Sequence, residues 1–351
     1  MPSRERLAQL LAEQGSYCAA LGSPLYAALL EGAANDAAAD GPTYALLRDD
    51  PAPGPRGDAL ALRFLAAAHR MALQGRAPDL ARHFPSLRPH EPPRPLEAEG
   101  AWRALRALVA ERSGELRPLV ALPCQTNEVG RAAALVHGFF EAARTGLPLR
   151  LLEVGAGAGL NLRFDHFRYS GAGASWGPID SPVRLELWTS PPRVEPRLRV
   201  AERWGCDRRP IDPTSDDGRL SLLASVWADQ GLRFARLRGA LEVARRVPVG
   251  LEQADLADWL PRRLTMATPG LATVVYHSVV DEYLSDATRG RFHGALREAG
   301  GRASTAAPLF WLHLEPLPDQ VRFAVTLTRW PGGEARTLAY AGAHGTDVRV
   351  A

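Results

Sequence analysis

The chain has 351 residues, 46% of them hydrophobic and 23% charged, with a formal net charge of +3. That length supports one large domain or two modest ones, and the mixed charge contains no long basic block to track a phosphate backbone, so nucleic acid is not an expected partner. All 42 basic residues are arginine, and the absence of lysine excludes Schiff-base enzymes, P-loop phosphate binders and protein kinases.

Cys18, Cys124 and Cys206 are odd in number and far apart, which suggests neither a disulfide framework nor a zinc cluster and fits a reducing cytoplasm. Met1 to Arg6 leads into a charged amphipathic stretch rather than a secretory signal. No apolar run approaches the roughly 18 residues of a membrane span. A cytoplasmic protein is expected.

Leu7, Leu10 and Leu11, then Leu25, Leu29 and Leu30, then Leu62, Leu65 and Ala68 recur at helical spacing. Two proline-rich breaks, Asp49 to Pro55 and Pro85 to Pro95, read as surface loops, because proline removes a donor and restricts its neighbour. Trp102, Leu105, Leu108 and Val109 restart a helical face, and Glu128 to Arg144 forms another. From there short apolar runs alternate with helical patterns, the signature of a mostly parallel sheet covered on both faces. Strands are predicted at Leu149–Val154, Arg199–Cys206, Val247–Leu251, Ala272–His277 and Leu309–Leu314. Val321–Thr328 and Arg336–Tyr340 flank Trp330-Pro331-Gly332-Gly333 as an antiparallel terminal hairpin. The expected organisation is a helical N-terminal cap over 1–120 and an α/β domain over 121–351.

The first strand ends in Glu153-Val154-Gly155-Ala156-Gly157-Ala158-Gly159, and Leu160-Asn161-Leu162 then opens a predicted helix. Alternating glycines allow a tight turn and a close ligand approach. A dinucleotide fingerprint would need a glycine where Leu160 stands, so a nicotinamide enzyme is a weaker alternative.

This motif resembles motif I of class I S-adenosylmethionine-dependent methyltransferases. The resemblance implies a Rossmann-like α/β fold in which Glu153 faces the methionine amino group, Gly155, Gly157 and Gly159 pass beneath the cofactor, and Asn161 adjoins it. It assigns the ribose hydroxyls to Asp207 in Gly205-Cys206-Asp207, provided that an insertion spans about Tyr169 to Pro196; Glu186 is the rival. Asp255 and Leu256 take the adenine, Arg131 the methionine carboxylate, and His277 in Val274–Val280 is the candidate base. Asn127, Glu128, Trp176 and Tyr283 are candidate substrate contacts.

At finer scale the chain resembles the domain-of-unknown-function family 2332 through Gln125–Arg131, Leu152–Ala156, Gly205–Asp207 and His277–Val280. That resemblance supports the fold and brings no substrate.

Each residue also has a plainer reading. The glycine loop serves as a tight turn, Asp207 and Asp255 as helix caps, and His277 as a core histidine. Gln125, Asn127, Glu128 and Arg131 suit a capped helix start, Trp176 a surface aromatic, and Glu282 and Tyr283 the beginning of a helix. Asp165 and His166 lack a third ligand, so no metal site is expected. The expected function is methyl transfer to an oxygen or nitrogen of a small molecule, with the helical cap setting specificity. The alternative is a non-catalytic module that keeps the cofactor site. The oligomeric state is left open.

Overall fold

The computed structural model describes residues 2–49, 59–88, 95–125, 127–194, 197–319 and 321–351. The predicted loops at 49–55 and 85–95 fall largely outside these residues. Pro85–Leu87, within the second, forms a 3-10 turn with Ser86 buried. Two compact units divide the chain: 1–126 with 215–235, and 127–214 with 236–351.

The first unit is helical: α1 (Arg4–Ala20), α2 (Pro24–Ala38), α3 (Pro42–Leu47), α4 (Leu60–Leu73), α5 (Pro78–Ala81), α6 (Ala98–Val120), and, later in the chain, α8 (Asp216–Ser225). Local chemistry starts the helices. Ser3 accepts from the Arg6 N–H, and Ser23 accepts from Tyr26 N–H before Pro24 enters the first turn, where its missing donor costs nothing. Leu7, Leu11, Leu25, Leu29, Leu30, Phe64 and Leu65 form the core with Trp227. The later segment is fastened by Asp229, which accepts from Ser23 Oγ at 2.6 Å and Leu25 N at 3.0 Å. The helical unit thus includes 21 residues, 215–235, that periodicity alone attached to the α/β half.

The second unit contains α7 (Ala132–Ala143), β1 (Leu149–Val154), β2 (Arg168–Gly171), β3 (Ala174–Trp176), β4 (Arg184–Glu186), β5 (Val200–Asp207), β6 (Gly250–Gln253), α10 (Leu256–Arg263), β7 (Ala272–Ser278), α11 (Asp286–Gly301), β8 (Leu309–Pro316), β9 (Phe323–Trp330), β10 (Glu334–Ala341) and β11 (Arg349–Val350); α9 (Gly231–Arg246) spans the division. Among the described residues, eight strands form one mixed sheet in the order β11-β10-β9-β8-β7-β1-β5-β6. Strands β6, β5, β1, β7 and β8 are parallel, and β9 and β10 follow as an antiparallel meander. Central β1 and β7 are buried along nearly their whole length, which is why both read as continuous apolar runs.

Alternation along β1 sends its side chains to two faces. Leu152 and Val154 join a core with Leu256, Trp259, Leu260, Phe292 and Leu296 from α10 and α11. Helix α7 lies against β7, β8, β9 and β10.

The segment after the glycine loop departs from expectation. Leu160–His166 is a kinked 3-10 helix, not an α-helix. Arg203 ties its end down, giving Leu162 O a bond of 2.6 Å and Asp165 a two-pronged ion pair at 2.7 Å. The chain then builds a separate sheet, β3-β2-β4, within the inserted segment. Among the described residues, no helix is long and apolar enough to cross a membrane.

Candidate functional site

In the order β6-β5-β1-β7-β8, the chain moves one way from β1 through β5 to β6 and the other way through β7 to β8. In such sheets the crevice beyond the carboxyl ends, where the order reverses, is the usual ligand site. Here it lies between the ends of β1 and β7.

Gly155, Gly157 and Gly159 have φ of +67°, +58° and +64°, left-handed values that glycine adopts without the penalty of a Cβ. Gly155 is exposed, and a Cβ there would lie 2.6 Å from Val280, just beyond β7. Asp207, at the end of neighbouring β5, accepts from Gly157 N at 2.9 Å and Arg209 N at 2.8 Å. Its rival Glu186 is exposed on β4, opposite Ser170 in the small sheet. Of the two carboxylates, Asp207 is the one at the loop.

Asn127 spans the loop as well, donating to Ala156 O at 3.0 Å and accepting from Leu160 N at 3.2 Å. Its side chain is therefore a clasp on the loop rather than a free substrate contact. Glu128 is buried and caps its own turn through Gly130 N. Asn161 is buried, donates to Glu128 O at 3.2 Å, and keeps Oδ1 without a partner. Arg131 bonds to Ala343 O at 3.0 Å and Ser278 O at 3.4 Å, which places it beside the end of β7.

Glu153 is 4% exposed beneath the loop. Burial pushes its carboxyl from 4.5 up to about 8, while the adjoining Tyr276 hydroxyl and the Arg163 charge pull it down. Its Oε2 has no hydrogen-bond partner, and Glu153 and Tyr276 are register partners on β1 and β7. Buried Arg163 bonds instead to Val247 O and Gly159 O, at 2.7 and 2.8 Å, bracing the loop's far end.

Several expected contacts are otherwise engaged. Asp255 caps α10 through Ala257 N and pairs with Arg208 at 2.8 Å. Leu256 is 9% exposed and belongs to the sheet core, so its side chain is packing rather than a surface for a base. Trp176, on β3, stands in an aromatic cluster, edge-on to Phe140 at 4.9 Å and stacked on Phe164 at 6.3 Å, rather than as an isolated surface aromatic. Tyr283 is 69% exposed in the turn after β7.

His277 requires a correction. It has no exposed surface, and both ring nitrogens are engaged. Trp311 Nε1 donates to Nε2 at 3.1 Å, and Nδ1 meets Glu315 Oε1 at 2.8 Å. The indole can only donate, so Nε2 accepts and the ring proton resides on Nδ1. In this arrangement His277 has no lone pair facing an acceptor, and its ring stacks on His313, its register partner on β8, at 5.5 Å.

Glu315 and Asp281 were not foreseen. The available signal was His313-Leu314-Glu315 at a strand end, two polar residues at strand spacing on one face. Its meaning depended on β8 lying beside β7.

The molecule is thus a mixed α/β protein carrying a glycine loop and a strand-end carboxylate at the reversal of a mostly parallel sheet. The chain belongs to the family described as "Uncharacterized protein conserved in bacteria (DUF2332)", whose model matches residues 8–349. No curated protein and no solved structure matches the chain.

Proposed function

We propose that the protein binds S-adenosylmethionine at the glycine loop and transfers its methyl group to an oxygen or nitrogen of a small molecule. The observation that carries this reading is Asp207 bonded to Gly157 N at the end of the strand next to β1. It sets a carboxylate for ribose hydroxyls beside the left-handed glycine loop, of which Gly155 is exposed. The parallel order β6-β5-β1-β7-β8 corresponds to 3-2-1-4-5 of the Rossmann arrangement, which supports a Rossmann-like methyltransferase fold. Alignment and exclusion of water supply the rate enhancement in this reading, and His277 is not assigned as base.

The engagement of both His277 nitrogens favours a second reading, a module that binds the cofactor without transferring the methyl group. Calorimetric titration with S-adenosylmethionine and S-adenosylhomocysteine, with NAD as control, tests the site. Micromolar binding, worth about 8 kcal/mol, of the adenosyl ligands alone supports both readings, and turnover with an acceptor separates them. No heat with either adenosyl ligand refutes the cofactor assignment.

A further inference from the structure

We propose that His277, Asp281 and Glu315 form a binding site for one divalent transition-metal cation. The proposal does not depend on the cofactor reading. One ligand atom from each residue lies within 4.8 Å of the others. With bonds of about 2.1 Å, ligand atoms around a cation stand roughly 3.4 Å apart, so closure requires only small side-chain movement.

The backbone gathers the set from three places. His277 is the penultimate residue of β7 and Glu315 that of β8. Between β7 and the following turn, Val279 has φ +57° and donates to Leu314 O at 3.0 Å. This bend brings the next residues back over Glu315, whose Oε1 accepts from Val280 N at 2.9 Å, and it delivers Asp281 to the same point.

Unpartnered atoms show that the cluster is more than a hydrogen-bonded core. Asp281 Oδ1 and Glu315 Oε2 are sealed from solvent and have no partner. Arg289 is near, yet it bonds to the main-chain oxygen of Asp281, at 2.8 Å. Among the described residues no arginine forms an ion pair with either carboxylate. Two desolvated anionic oxygens cost several kcal/mol unless a cation offsets them. His313 Nδ1 and His293 Nε2 are also buried without partners, and the His313 ring stacks on that of His277 at 5.5 Å. One imidazole with two carboxylates selects zinc, manganese, iron or cobalt over the all-oxygen preference of magnesium and calcium. Three protein ligands leave positions open for water or another oxygen ligand.

The ring tautomer makes the proposal specific. Coordination through Nδ1 requires the proton now on Nδ1 to move to Nε2, where it opposes the Trp311 N–H. The ring stays neutral, and the indole bond is broken. Trp311→Phe removes this competition and is expected to strengthen metal binding.

The test is titration of chelator-treated full-length protein with Co2+, read by visible absorption, followed by Zn2+ displacement and elemental analysis. One equivalent of Co2+ with ligand-field bands, displaced by Zn2+, is expected. Asp281→Asn, at a turn, and Glu315→Gln, which retains an oxygen for Val280 N, are each expected to weaken affinity at least about tenfold while circular dichroism reports a folded chain. Trp311→Phe is expected to bind at least as tightly as the wild type. Absence of bound metal, or Co2+ affinity unchanged in a folded Asp281→Asn protein, overturns the proposal.

Discussion

Replacement of Glu153 by glutamine isolates the largest buried charge problem at the glycine loop. The carboxyl rises from 4.5 to about 8, a rise of about 3.5, chiefly because burial removes it from water. A folded-state value above the unfolded one means that the native chain holds more protons across that window. The stability linked to this proton is therefore fully present below 4.5 and is lost as pH rises through about 8. At ~1.4 kcal/mol for each pH unit, the full window corresponds to ~5 kcal/mol. Part of this develops below pH 5 and part above pH 8, so we expect about 3 kcal/mol of difference between wild type and Glu153→Gln to develop from pH 5 to pH 8. Glutamine carries no charge at either pH, so the variant gains on the wild type as pH rises. Urea unfolding of both proteins at pH 5, 6.5 and 8, followed by circular dichroism, measures this. Parallel stability profiles would refute the reasoning and mean that Glu153 is ionised and compensated in the native chain.

Gly157→Arg drives a side chain into Asn127, whose amide lies 3.0 Å from where a Cβ would stand, and is expected to abolish S-adenosylmethionine binding in calorimetry; retained affinity removes the loop from the site. Asp207→Ala is expected to lose cofactor affinity while Glu186→Ala keeps it, and the reverse result in the same titration refutes the ribose assignment. His277→Ala leaves Glu315 buried without its ring partner, a change expected to cost about 3 kcal/mol; thermal unfolding showing no loss would mean that the Trp311–His277–Glu315 chain does not hold the two strand ends. Burial lowers the His69 and His137 rings to about 4. Their contribution to stability is present above the ordinary 6.5 and is lost as pH falls towards 4. NMR titration finding either ring protonated at pH 6 in the folded chain contradicts that sign.

The sequence made the sheet legible because burial on both faces leaves continuous apolar text, as in Val274-Val275-Tyr276 of β7. Strand ends moved by a few residues: the third parallel strand is Gly250–Gln253 rather than Val247–Leu251, since Val247 still closes the last turn of α9. Leu160–His166 has helical spacing, yet the pull of Arg203 on Leu162 O and Asp165 comes from a strand some 40 residues away, and local pattern carries no trace of it. The same limit hid the membership of 215–235 in the helical unit, which rests on Asp229 reaching Ser23. At the site, the glycine loop was readable because its residues are consecutive. The engagement of His277 was not, because Trp311 and Glu315 meet it only once β8 is laid beside β7.

Both margins of the large sheet end in short strands, four residues in β6 and two in β11, and the outer part of β10 carries exposed Glu334 and Arg336. An outermost strand with many free N–H and C=O groups is a template on which another chain can add itself. Here the template is only a few residues long at one margin, and at the other it is charged and partly covered. The sheet therefore limits its own growth by edge pairing, and a variant that lengthened β11 or replaced those charges with apolar residues would invite pairing between copies of the chain rather than disturb the fold.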